Sequence, residues 1–143
     1  MANFNHLKAL DVKDKTAEMT IYQIEGNPVL VMRPATEANK PYFNAVLKRS
    51  RKSVRALQAG GVSAAIISEN RAEDRELFPQ HVVVGWRGVK DVDGNEVPFD
   101  KTACAEFLEA LPDWLFDEVR TFAGVSSNYT SEEPIDAETR AGN

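Results

Sequence analysis

The sequence predicts a small α+β domain, mainly α with a β-hairpin near its N-terminus, the hairpin packed on the helices or on a partner. Three observations carry this. The chain has 143 residues, the length of one domain, and 43% of them are apolar, enough for a single core. Residues 18–33, EMTIYQIEGNPVLVMR, combine alternation with a run of turn formers. Further on, apolar residues recur at helical spacing in segments parted by Gly and Pro. The expected organisation is an N-terminal arm over 1–17, one globular domain over 18–129 (hairpin 18–33, helices 40–124) and a mobile acidic tail over 130–143. A domain of this size buries enough surface to fold without metal or disulfide.

In the arm, Phe4, Leu7 and Leu10 recur every three residues, which allows one or two short amphipathic turns. In the hairpin, Met19, Ile21 and Gln23 alternate with Thr20, Tyr22 and Ile24. Glu25-Gly26-Asn27-Pro28 makes the turn, and Val29 to Met32 form the return strand. A lone hairpin is marginal in water, so it must pack against something.

Asn39 and Pro41 open a helix that runs to Gly60-Gly61, with Phe43, Val46, Leu47, Val54 and Leu57 on one face. A second helix spans about Asn70 to Phe78. His81 to Val89 fits either a buried strand or a helix, since Val82, Trp86 and Val89 also have helical spacing. The reading leans to a continuation of the preceding helix, ending near Trp86-Arg87-Gly88. Asp91 to Asn95 reads as a turn. Asp100 stands where an N-cap belongs, and Phe99 before it is placed to staple to Cys104. Ala103, Cys104, Phe107, Leu108 and Leu111 form the buried face of that helix. Pro112 breaks it, and a last helix spans Asp113 to Ala123, with Leu115, Val119 and Phe122 inward and Gly124 as stop.

The balance of 22 acidic and 17 basic residues, a net charge of −5, makes nucleic acid an unlikely partner. Cys104 is the single cysteine, so neither an internal disulfide nor a Cys-paired zinc site is available. His6 and His81 lie far apart in sequence. The first residues lack the apolar core of a signal peptide, and no run is long enough to span a membrane. The expectation is a soluble, cytoplasmic protein. Catalysis finds no support: there is no Gly-rich phosphate loop and no HExxH, Cys104 reads as a core hydrophobe, and His81 has no sequence partner. Asp91-x-Asp93-Gly94 fails as a calcium loop, because the first ligand position would fall on Val89. No enzyme, metal or cofactor is expected.

Lys48, Arg49, Arg51, Lys52 and Arg55 are five cations without an intervening acid. On a helix Lys48, Lys52 and Arg55 face together. They read as a solvated face, or as a contact for an acidic protein surface, or for phosphates. No aromatic residues sit among them to stack bases, which counts against single-strand binding.

The second half of the chain carries an ordered series of motifs: Val84-Gly85-Trp86-x-Gly88-Val89, then Asp91-x-Asp93-Gly94-x-x-Val97-Pro98-Phe99. Leu108-x-x-Leu111-Pro112, Val119-x-x-Phe122-Ala123 and Asn128-Tyr129 follow in order. Through these motifs, over about residues 77–129, the chain resembles the tail assembly chaperones of long-tailed bacteriophages. The resemblance implies a protein that binds the tape measure protein through an apolar groove, keeps it soluble and recruits tail tube subunits. It would do so in the host cell cytoplasm, without covalent chemistry, and be absent from the finished particle. A chaperone of this kind needs an exposed apolar patch. Trp86, Phe99, Trp114 and Phe116 are the aromatics expected near it, and one of Trp114 and Phe116 should point outward. The bland alternative places all four in the core. The runner-up function is a structural virion protein of the tail or head–tail region, using the hairpin for subunit contacts. A homo-oligomer is compatible with either.

Overall fold

The structure, a computed structural model, describes residues 2–49 and 64–130, with the backbone alone over 64–69. The domain is α+β, as expected. Strands β1 (Ala17–Thr20) and β2 (Val29–Met32) are followed by helices α1 (Lys40–Arg49) and α2 (Ala64–His81). Strand β3 (Val83–Arg87) and helices α3 (Lys101–Ala110) and α4 (Asp113–Ala123) come next. Short 3-10 turns at Asn5–Leu10 and Ser126–Tyr129 flank the whole. The expected run of α1 through Val54 and Leu57 to Gly60-Gly61, and the acidic tail beyond Thr130, lie outside the described residues.

β1 and β2 form the expected antiparallel pair, with Ala17 opposite Met32 and Thr20 opposite Val29. The strand is shorter and the loop wider than the alternation suggests. Beyond Thr20 only the Ile21 amide still reaches across, to the Pro28 carbonyl at 2.8 Å. Ile21 is fully buried and Tyr22 exposed, which continues the alternation, and the pattern breaks at Gln23, exposed beside Tyr22. Gly26 and Asn27 both take positive φ in this loop. Gly88, at φ 74°, closes on it so tightly that a Cβ there would stand 3.5 Å from both the Gly26 carbonyl oxygen and the Pro28 Cα.

Residues 81–89 correct the helical reading. α2 ends at His81, and the chain turns into β3, which pairs antiparallel with β2. Leu30 faces Trp86 and Val31 faces Gly85, with an irregularity between Val31 and Met32. The sheet order is β1-β2-β3. The second edge of β2 needs a hydrogen-bonding partner, and a segment as short as 81–89 answers to that need rather than to its own periodicity. Asn39, fully buried, seals the junction by donating from Nδ2 to the His81 carbonyl at 2.8 Å. α2 also begins earlier than expected, at Ala64.

The helices pack around α2, which touches α1, α3 and α4 and borders β3, while α4 also lies against β1. Phe78 stands edge-on to both Tyr42 and Phe116, with ring centroids 5.8 Å and 5.6 Å away. Met32, Val82, Leu108 and Val119 join this core, all fully buried. Asp100 caps α3 as expected, its carboxylate accepting from the Ala103 amide at 2.7 Å. Phe99 packs edge-on against Trp86 at 5.2 Å. A smaller cluster of Val12, Ala17 and Tyr129 ties both ends of the domain together.

Charge pairs fasten α2 to α4. Asp74 accepts from the Tyr42 hydroxyl at 2.9 Å and from Arg120 Nε at 2.7 Å. Arg71 grips Asp117 in a two-toothed contact of 2.9 and 2.8 Å, and Arg120 reaches the same carboxylate at 3.2 Å. Arg75 pairs with Asp113 at 2.8 Å and lies over the Phe116 ring, 4.7 Å from its centroid. It also donates to the carbonyls of Leu108 and Leu111, closing the C-terminal end of α3. Burial, with the Asp74 carboxylate alongside, pushes the Tyr42 phenol far above its usual range, so it stays a donor. Asp74 is itself buried, so Asp74→Ala strands the Tyr42 hydroxyl and one face of Arg120. The expected loss is about 3–5 kcal/mol of unfolding free energy by urea titration; a loss near zero would show that water replaces the network freely.

Candidate protein-interaction surface

α4 carries two apolar faces. Leu115, Phe116, Val119 and Ala123 are buried and hold the helix to the core. Trp114, Glu118, Thr121 and Phe122 follow a second helical stripe, continued by Val125 after the helix ends. Met19 arrives from β1 and Asn128 from the last 3-10 turn. Together with Asp117 they line an open groove of about 530 Å³ whose walls are mainly apolar. Asn128 is held in place by donating to the Phe122 carbonyl at 3.0 Å. Glu118, on the rim, accepts from Gln23 of the hairpin loop at 3.2 Å.

The expected aromatics separate. Trp114 is 55% exposed in this groove, whereas Phe116 is fully buried. Phe116 therefore belongs to the core, because the next residue along a helix points about 100° away and the two side chains cannot share a face. Trp86 and Phe99 are half-buried and pack on each other and on Phe107, away from the groove lining. The Trp86 indole donates to the Val97 carbonyl at 2.8 Å, so its polar edge is already engaged. Lys48 is exposed near the end of α1. Lys52 lies outside the described residues. Met19 was not recognisable in the sequence as a groove residue, since it comes from a strand nearly a hundred positions away. The Trp114, Glu118, Thr121, Phe122 and Val125 spacing was the available signal.

Cys104 is fully buried, and burial pushes its thiol up to about 12, so no thiolate forms near neutral pH. Among the described residues no three His, Cys, Asp or Glu side chains gather to hold a metal ion. Asp91 Oδ1 accepts from the amides of Asp93 (2.9 Å) and Asn95 (3.0 Å), which closes the expected turn around Gly94. No helix among the described residues is long and apolar enough to cross a membrane.

The surface offered by this domain is thus an apolar groove with carboxylates on its wall. The family model described as YdaY prophage protein matches residues 38–140, most of the chain and all of α4. The chain belongs to that family and is of phage origin. No curated protein and no solved structure matches it.

Two expectations follow. Trp114→Ala should change the unfolding free energy by no more than about 0.5 kcal/mol, as for an exposed residue. Phe116→Ala should cost about 3–5 kcal/mol. Equal losses in urea titration would put Trp114 in the core. Acid should weaken the fold in two stages. Burial, reinforced by the positive charges of Lys101 and Arg33, holds the His81 imidazole below its ordinary 6.5. The Arg71 hydrogen bond, assisted by Arg120, holds the Asp117 carboxyl below its ordinary 3.8. Both contributions are complete above those ordinary values and are lost as the pH falls through the lowered ones. Stability measured against pH should therefore drop first below 6.5 and again below 3.8. His81→Gln should remove the first step, and Asp117→Asn should shrink the second, to which Glu18, held below its ordinary 4.5 by the Arg87 hydrogen bond, also contributes.

Proposed function

We propose that the protein is a phage tail assembly chaperone. It binds the tape measure protein through the Trp114 groove and recruits tail tube subunits, acts in the host cell cytoplasm and catalyses no reaction. The observation that carries this reading is the groove itself: an apolar trough with an exposed tryptophan, on a domain of phage origin. An amphipathic helix, the form of a tape measure chain, lays its apolar stripe into such a trough and keeps its polar side in water. The resemblance over 77–129 to tail assembly chaperones runs through α4, which supplies most of the groove. Lys48, with Lys52, offers a second, electrostatic contact for an acidic face of a client.

A structural virion protein of the tail or head–tail region is the second reading. It is favoured by the sheet order, which leaves β1 and β3 as edge strands able to pair with a neighbouring subunit.

Co-expression with a helical tape measure fragment from the same prophage should yield a stable complex. Trp114→Ala should weaken it at least tenfold, as expected for truncation of a central tryptophan, with the melting temperature unchanged. Mass spectrometry of mature particles should find the protein missing. Many copies per particle would instead establish the virion reading and overturn the chaperone.

A further inference from the structure

Among the described residues, two apolar surfaces are exposed. One is the Trp114 groove. The other is the N-terminal 3-10 turn, whose Phe4, Leu7 and Leu10 are 65%, 49% and 59% exposed. A 3-10 helix has three residues per turn, so Phe4, Leu7 and Leu10 stack into one unbroken stripe. None of the residues of this turn is buried. The turn is internally secured, with Leu7 N donating to Phe4 O at 2.9 Å, Asp11 N to Lys8 O at 3.1 Å, and Lys15 Nζ to Ala9 O. Its root is pinned by Val12, which is buried against Ala17 and Tyr129 in a cluster on which Phe122, a groove residue, also packs.

We propose that the Phe4-Leu7-Leu10 stripe of one copy docks into the Trp114 groove of a second copy, and reciprocally, so that two chains exchange arms. The dimensions agree. The six steps from Phe4 to Leu10 rise roughly 12 Å at 3-10 spacing, and the eight steps from Trp114 to Phe122 span roughly 12 Å of α-helix. The charges agree as well. Among the described residues, the groove lining holds Asp117 and Glu118 and no cation. Residues 2–10 hold Lys8 and no carboxylate. Asp117 is already engaged by Arg71 and Arg120, so Glu118, bonded only to the neutral Gln23 in this network, is the partner for Lys8. Among the described residues of a single chain, the turn is folded on its own root with its stripe exposed, and none of them fills the groove. Two-fold exchange covers both surfaces at once and doubles the contact that one stripe makes. The inference needs no client protein to be tested, but the arm occupies the groove assigned above to the client, so a client helix would have to displace it.

Sedimentation equilibrium of the full chain over a concentration series tests it. The wild type should be a dimer. Leu7→Asp and Trp114→Ala should each weaken association at least tenfold, with unchanged circular dichroism. Mixed together, these two variants should form a heterodimer that neither forms alone, because one intact arm then meets one intact groove. Lys8→Glu and Glu118→Lys should each weaken the dimer, and the double variant should restore it. A wild type that is monomeric throughout overturns the proposal. So does a monomer whose Trp114 fluorescence shifts with Leu7→Asp, which would mean that the arm covers its own groove. A dimer indifferent to both Leu7→Asp and Trp114→Ala overturns it too.

Discussion

Three cations and three carboxylates, shared between α2 and α4, decide how this domain is assembled. Arg71 stands one turn before Asp74 and Arg75 on α2, and the three meet Asp113, Asp117 and Arg120 of α4. Each carboxylate accepts from at least one guanidinium, and among the described residues no buried side-chain polar atom lacks a partner. A paired, hydrogen-bonded charge is tolerable in a partly buried site, and an unpaired one is not, so the network admits one rotation and one register of α4. Arg75 extends the effect to α3 through the carbonyls of Leu108 and Leu111. Phe116, beneath the Arg75 guanidinium, locks charge network and apolar core into one arrangement.

That rotation has a functional consequence. With Leu115, Phe116, Val119 and Ala123 turned inward, Trp114 and Phe122 necessarily line the opposite flank of α4. The sheet then brings Met19 to the same place, and the final 3-10 turn brings Asn128. The groove is therefore a by-product of how α4 is clamped, and its shape is inherited from residues that never touch a ligand. A surface built in this way is rigid on one wall and acidic on the rim. Such a surface suits recognition of an apolar stripe flanked by cations, whether presented by a client helix or by the arm of a second copy.

Several elements were legible before the structure. The β1–β2 pair, the Asp100 cap, the Asp91–Asn95 turn, the burial of Cys104 and the limits of α4 all rest on local chemistry, and each is found as expected. The division of Trp114 from Phe116 follows from helical geometry alone. The β3 segment is ambiguous in sequence, because Val82, Trp86 and Val89 satisfy both periods and the choice belongs to the free edge of β2. The alternation from Met19 to Ile24 suggests a tighter loop than the fold has, since the pattern stops at the exposed Gln23. Nothing in the sequence separates Trp86 and Phe99 from Trp114, and in the fold they pack with Phe107 elsewhere. The charge network leaves only a faint local signal, the four-residue spacing shared by Arg71 and Arg75 on one helix and Asp113 and Asp117 on the other.

The sequence by itself determined the limits of α3 and α4, the position of the hairpin, and the character of a phage-like, acidic domain with few reactive groups. These properties are set by caps, turn formers and side-chain chemistry within a few residues of one another. Only the tertiary structure decided the partner of β2, the rotation of α4, and the meeting of Met19, Trp114, Phe122 and Asn128 in one trough. Those features depend on burial and charge pairing between segments distant along the chain, and no local pattern carries that information.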